Sequence, residues 1–240
     1  MMEVVYVAVA ALSLLSVGQA APMTSCKTLT QPVVMQGREQ LLGKWIFIAE
    51  STDITGTAAL TKLLVESVWS KITAANESDA INLHQVQRML GRCFSVTAKM
   101  TLRDNTLYMV QPYSSQSILL NTGCSDCLVI LSKSIIQGRT LSGMQLISKR
   151  SNVSVAEIQE FRRQVECLNL PQPAVMDPEN GFCSDDSPST DLTSAINDTT
   201  LELFDMLGNI LSNEGGLKNL IKQISSDGAG LKENPQIMTQ

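Results

Sequence analysis

The chain has 240 residues, 44% of them hydrophobic, and a formal net charge of −5. That length supplies one domain with a substantial core plus an appendage. The charge is uneven: positions 184–240 hold nine Asp and Glu against Lys218, Lys222 and Lys232, and neither part carries the clustered basic surface of a nucleic-acid binder.

In chain order, Val4 to Val17 is almost wholly apolar, and Gly18-Gln19-Ala20 supplies small residues around a cleavage point after Ala20. This is the layout of a secretory signal peptide over 1–20, although its start carries Glu3 and no Lys or Arg. The run falls short of the roughly 20 residues that span a bilayer, which disfavours a retained transmembrane anchor. Residues 21–41 contain Pro22, Cys26 and Pro32 without periodicity and read as an irregular arm. Gly43 to Ser51 reads as a first strand, with Gly43 and Trp45 at its head. Thr52 to Leu60 reads as a loop. Leu63 to Thr73 suits either a helical face or a strand, with a strand favoured on context.

Asn76 to Asp79 is a turn, and Ala80 to Arg88 alternates as a half-buried strand does. After Gly91, Cys93 to Leu102 is an amphipathic strand; Arg103-Asp104-Asn105 turns the chain into Thr106 to Gln111. Further strands are expected at Cys127 to Leu131 and at Thr140 to Lys149. The period then changes. Ser154 with Glu157 forms a capping box, and Val155, Ile158, Phe161, Val165 and Leu168 follow at helical spacing until Pro171. About eight short strands closing with one helix suggest a small barrel or sandwich. Beyond Cys183, Ser184 to Thr190 is an acidic linker. Asp191 to Ser212 and Leu217 to Ile224 then read as amphipathic helices, and the last ten or so residues as disordered.

Six cysteines, at 26, 93, 124, 127, 167 and 183, all follow the signal segment. In an exported chain an even number implies three disulfides before it implies metal or redox chemistry. Asn76, Asn152 and Asn197 each open an N-glycosylation sequon, meaningful in a secreted protein.

Gly43-Lys44-Trp45, about eight strands, a helix after the last one and a cysteine beyond it resemble the lipocalins. The segments Ala156 to Phe161, Cys167-Leu168-Asn169-Leu170-Pro171 and Cys183, with Cys93 heading a strand and Leu128 to Leu131, resemble the alpha-1-acid glycoprotein (orosomucoid) branch. Fish saxitoxin-, tetrodotoxin- and tributyltin-binding proteins are similar in character, and apolipoprotein M more distantly so. The likeness covers roughly 26–183.

It implies a mainly all-β fold: an eight-stranded antiparallel up-and-down barrel over 21–183 with a helix packed outside, followed by a partly disordered helical tail over 184–240. It also implies disulfides Cys26–Cys167 and Cys93–Cys183. Cys124 and Cys127 then remain, in Cys-Ser-Asp-Cys, and suit a small disulfide ring better than a redox motif, which needs a βαβ setting. The cation that covers the Trp in many lipocalins must here be Lys149 or Arg150, with Gly43, Trp45 and Arg150 taken as the motif at the closed end.

His84 is the chain's one histidine, too little for a triad or a zinc site. The expectation is a non-enzymatic protein without cofactor or metal. An eight-stranded barrel can hold one small ligand, and strand alternation under the family alignment turns Phe47, Met100, Leu107, Met109, Leu128 and Gln145 inward. Asp126, one alternation from Leu128, is placed near the barrel mouth, either to pair with a cationic ligand or as an exposed loop acid. The reading is a secreted extracellular carrier of small hydrophobic or amphipathic ligands, toxins or xenobiotics among them. The alternative is a lipoprotein-associated or immune-modulating plasma protein acting through its tail, with self-association or lipoprotein contact through 191–224.

Overall fold

A computed structural model describes residues 25–193, apart from 55, 112, 137, 178–180 and 192. The signal segment, Asn197 and the tail helices lie outside the described residues. Eight strands run antiparallel: β1 (Gly43–Thr52), β2 (Val65–Ala74), β3 (Ala80–Met89), β4 (Arg92–Arg103), β5 (Thr106–Met109), β6 (Ser114–Leu120), β7 (Cys127–Ile136) and β8 (Arg139–Ser148). Each pairs with the next, and β8 pairs back onto β1, so the sheet closes into a barrel without free ends. Closure removes the edges on which sheets aggregate.

Several elements differ from expectation, two of them within the barrel wall and its connections. The stretch read as loop and strand contains a helix, α2 (Thr57–Leu64), following the short α1 (Cys26–Leu29). Gly56, at φ 84°, turns the chain into α2, and Leu60 and Thr61 bury one face of it. Ala58, Ala59, Leu60, Leu63 and Leu64 favour the helix, and the Val- and Trp-rich run begins at Val65, where the strand starts. Strand β6 was not expected at all. Its Ser114-Ser115-Gln116-Ser117 half carries no apolar alternation because Ser115 and Ser117 face a polar interior.

Helix α3 (Val155–Cys167) is capped as the sequence predicts: Ser154 accepts from the Glu157 N–H and Glu157 accepts from the Ser154 N–H. Its buried Phe161 and Val165 pack on Ile48, Val129, Met144 and Leu146, on the outer wall of β1, β7 and β8. Gln164, fully buried, ties it further, donating to the carbonyls of Leu29 at 2.8 Å and Asn121 at 2.7 Å. Disulfides join Cys26 to Cys167, Cys93 to Cys183 and Cys124 to Cys127. After α3 the chain returns as β9 (Ala174–Val175) beside β1 and as β10 (Thr190–Asp191), parallel to β4 at Phe94 and Ser95. Asp191, expected to open a helix, sits in this short strand.

Candidate ligand cavity

One end of the barrel is sealed. The arm before β1 crosses it, with Met35, Leu41, Trp45, Phe47, Ile72, Ile81, Leu107, Leu119 and Ile147 in one packed cluster. Hydrogen bonds tie the arm down across the base. Arg38 Nη1 donates to the carbonyls of Ala75, Glu77 and Ala80. Asn105, at φ 63° in the turn between β4 and β5, donates to the Val33 carbonyl and accepts from the Met35 N–H. Trp45 Nε1 donates to the Leu41 carbonyl at 2.7 Å, so the indole is both buried and hydrogen-bonded.

Lys149, not Arg150, covers that indole. Its Nζ lies 3.7 Å from the Trp45 ring centroid and donates to the Leu42 carbonyl at 2.8 Å. Strand alternation gives the reason: Ile147 packs in the inner cluster, so Lys149 continues the inner face and Arg150 points out. Burial lowers the Lys149 pKa. Gly43 makes room for this contact. Its φ is 109°, and a Cβ there would come within 2.8 Å of Lys149 Nζ.

Asp126 is also displaced from its expected place. It lies in the loop between β6 and β7, at the sealed end, and it does not line the cavity. It accepts from Arg150 Nε at 2.7 Å, while Arg150 Nη2 reaches Glu157 at the same distance. The guanidinium holds both carboxyls below their ordinary pKa values. With β7 starting at Cys127, a residue just before it belongs to the floor of the barrel and not to the mouth. Cys124, Cys127, Asp126 and Glu157 lie close enough together to suggest metal ligation, but the two sulfurs are bonded to each other and Arg150 engages the acids.

Above the floor is a cavity of about 400 Å³, within the range of small-molecule sites. Phe47, Met100, Leu107, Met109, Leu128 and Gln145 all line it. Toward the opposite end its walls turn polar, with Gln85, Gln87, Tyr113, Ser115, Ser117, Ser132, Ser134 and Ser142. Ser117 and Ser132 hydrogen-bond each other across β6 and β7 at 2.8 Å.

Several lining residues lie outside the expected set, and Glu50 among them contradicts simple strand parity. Pairing runs Phe47 to Ile147 but Ala49 to Leu146, so β1 carries a bulge at Ile48. The bulge reverses the alternation. Glu50, which simple parity from Trp45 and Phe47 would turn outward, faces Gln145 and lines the cavity instead. It accepts from Thr61 Oγ1 of α2 at 2.6 Å, and burial raises its pKa despite that bond. No local sequence signal marks the bulge; only the pairing with β8 exposes it.

Trp69 and His84 lie on the outside. Trp69 Nε1 donates to the Cys183 carbonyl at 2.8 Å, Lys44 Nζ sits 4.2 Å from its ring centroid, and His84 meets its edge. A wider trough of about 930 Å³ runs over this outer face, walled by Lys71, Lys99, Arg103 and Tyr108. It is open and polar, unsuited to shielding an apolar molecule from water.

The closed antiparallel barrel with an outer helix defines a fold of the lipocalin type. A solved structure of the siderocalin Ex-FABP, described as functioning through dual ligand specificities, is similar to it: TM-score 0.52 and 20% identity, over 57% of this chain and 94% of that one. That likeness is one of fold. No family model matches the chain, and no curated protein matches it.

Proposed function

We propose that this protein is a secreted extracellular carrier that encloses one small hydrophobic or amphipathic molecule, in a non-enzymatic role of transport or sequestration. The observation that carries the reading is the cavity itself. It is sealed by the Trp45 floor, apolar around Phe47, Leu107 and Leu128, and lined with hydroxyls and amides higher up. A ligand with an apolar body and a polar head fits this gradient, because each part meets a surface of its own kind. Dual ligand specificity in Ex-FABP is consistent with binding as the use of such a barrel.

The Cys26–Cys167 and Cys93–Cys183 bridges support a place in the orosomucoid-like branch and an oxidising compartment as the setting. Asn76 and Asn152 are exposed, as carriers of glycans need to be. The domain division proposed is signal 1–20, barrel 21–183 and acidic tail 184–240.

Fluorescence tests the reading. In a Trp69→Phe variant the remaining indole, Trp45, packs against Phe47 and Leu107 beneath the cavity. Titration with a steroid or retinoid is expected to change its emission with one-to-one stoichiometry. Saturable binding that leaves Trp45 emission untouched would put the ligand elsewhere.

A further inference from the structure

We propose that the trough on the outer face of β2 to β5 is a docking surface for this chain's own acidic tail, residues 194–214. Among the described residues that wall the trough are Lys71, Lys99 and Arg103, and no acid. In a chain of net charge −5 that is a local reversal of sign. Lys71 and Arg103 make no ion pair among the described residues, and Lys99 meets only Glu77, at 2.6 Å, with both groups exposed. A trough lined by one sign of charge attracts the other.

The path of the chain decides which negative charge arrives first. Strand β10 runs parallel to β4, with Thr190 opposite Phe94 and Asp191 opposite Ser95. Thr193 keeps that register: its Oγ1 accepts from the Thr97 N–H at 2.9 Å, and the residue itself walls the trough. The chain is therefore aimed along β4 toward Lys99 and Arg103. It cannot go on as a strand there, because β5 takes the edge of β4 from Met100 to Arg103. Its way forward is over the outer face, into the trough. Residues 194–214 hold Asp198, Glu202, Asp205 and Glu214 and no Lys or Arg. Asp198 stands within about 17 Å of Thr193 even at full extension of the chain between them. Leu201, Leu203 and Phe204, interspersed with these acids, have Tyr108 and the exposed Val110 to meet. Each exposed ion pair is weak alone, but the tether holds the acids at about millimolar effective concentration.

Zero-length coupling tests this on the full-length protein, whatever the cavity holds. A water-soluble carbodiimide joins a lysine amine to a carboxyl only where the two touch. At low salt, peptide mapping of the monomer by mass spectrometry is expected to find Lys71 or Lys99 joined to Asp198, Glu202 or Asp205. In 1 M NaCl, where the screening length falls to about 3 Å, those links are expected to be lost. In the triple variant Asp198→Asn, Glu202→Gln, Asp205→Asn, acetylation of Lys71 at low salt is expected to quicken about threefold, the scale of a few exposed pairs. Lys27, on α1, should keep its rate. Links confined to covalent dimers would give the trough to the tail of a second copy and overturn the proposal. So would a Lys99–Glu77 link at low salt with none from either lysine to the tail, which would leave the trough to an external anion. An unchanged Lys71 rate in the triple variant overturns it as well.

Discussion

The two ends of the barrel use the same eight strands for opposite purposes. At the sealed end polar groups of and around the crossing arm are paired: Arg38 on three carbonyls, Asn105 on Val33 and Met35, Trp45 on Leu41. Large side chains fill the space between. At the other end the strands carry serines and glutamines around a cavity, and a carboxyl sits there at a raised pKa. The floor is built for stability. The upper walls keep polar surface and empty volume that a core optimised for stability would have filled. A protein that only needed to fold would have no reason for the second arrangement.

That contrast makes substitutions at the two ends unequal. Trp45→Ala should cost the most, about 3–5 kcal/mol, because it opens the packed floor and strands Lys149; denaturant unfolding at neutral pH measures it. Replacing both Cys26 and Cys167 by serine should cost about 2–5 kcal/mol, since the bridge joins residues 141 apart. Gly43→Ala follows at about 1–3 kcal/mol, the strain of a non-glycine residue forced into an unfavourable backbone region. Gly143→Ala, where the nearest atom to a new Cβ is 3.6 Å away, is the matched control and should be nearly silent.

Glu50→Gln should go the other way and raise the thermal midpoint at pH 7. The folded pKa of Glu50 is raised, so its charge opposes folding above that value, and the penalty vanishes once pH falls below the unfolded value of about 4.3. The gain should therefore fade on acidification; a gain that persisted at pH 3.5 would assign it to packing. Asp126 and Glu157 at the sealed end behave with opposite sign. Their lowered pKa values add stability above about pH 4.5 that is lost as pH falls through the folded values. Arg150→Gln should flatten that part of the pH profile by a small amount, as suits an exposed cluster.

Much of the fold was legible because it is written in local periodicity. The helix at Val155–Cys167 declared itself through its capping box and apolar spacing, and β3 and β4 through alternation. The features that escaped are those fixed by distant partners. Strand β6 is polar inside because it faces a cavity. Lys149 takes the role assigned to Arg150 because parity is counted from Ile147 within the barrel. Asp126 looked like a mouth residue because spacing gives a face but not which end of a strand it occupies. Glu50 is the sharpest case, since a single bulge, visible only once β1 is paired with β8, moves it from the outer wall to the interior.

If the cavity above Trp45 is the ligand site, filling it must block binding. Ser117 is buried on the cavity wall, and Ser117→Phe places a ring in the space a ligand would use. Calorimetric titration of both proteins with N-phenyl-1-naphthylamine, beside their thermal midpoints, gives the comparison. One-to-one binding by the native protein and at least a tenfold loss in the variant are expected, with the midpoint little changed. Undiminished binding by a folded Ser117→Phe protein would contradict it.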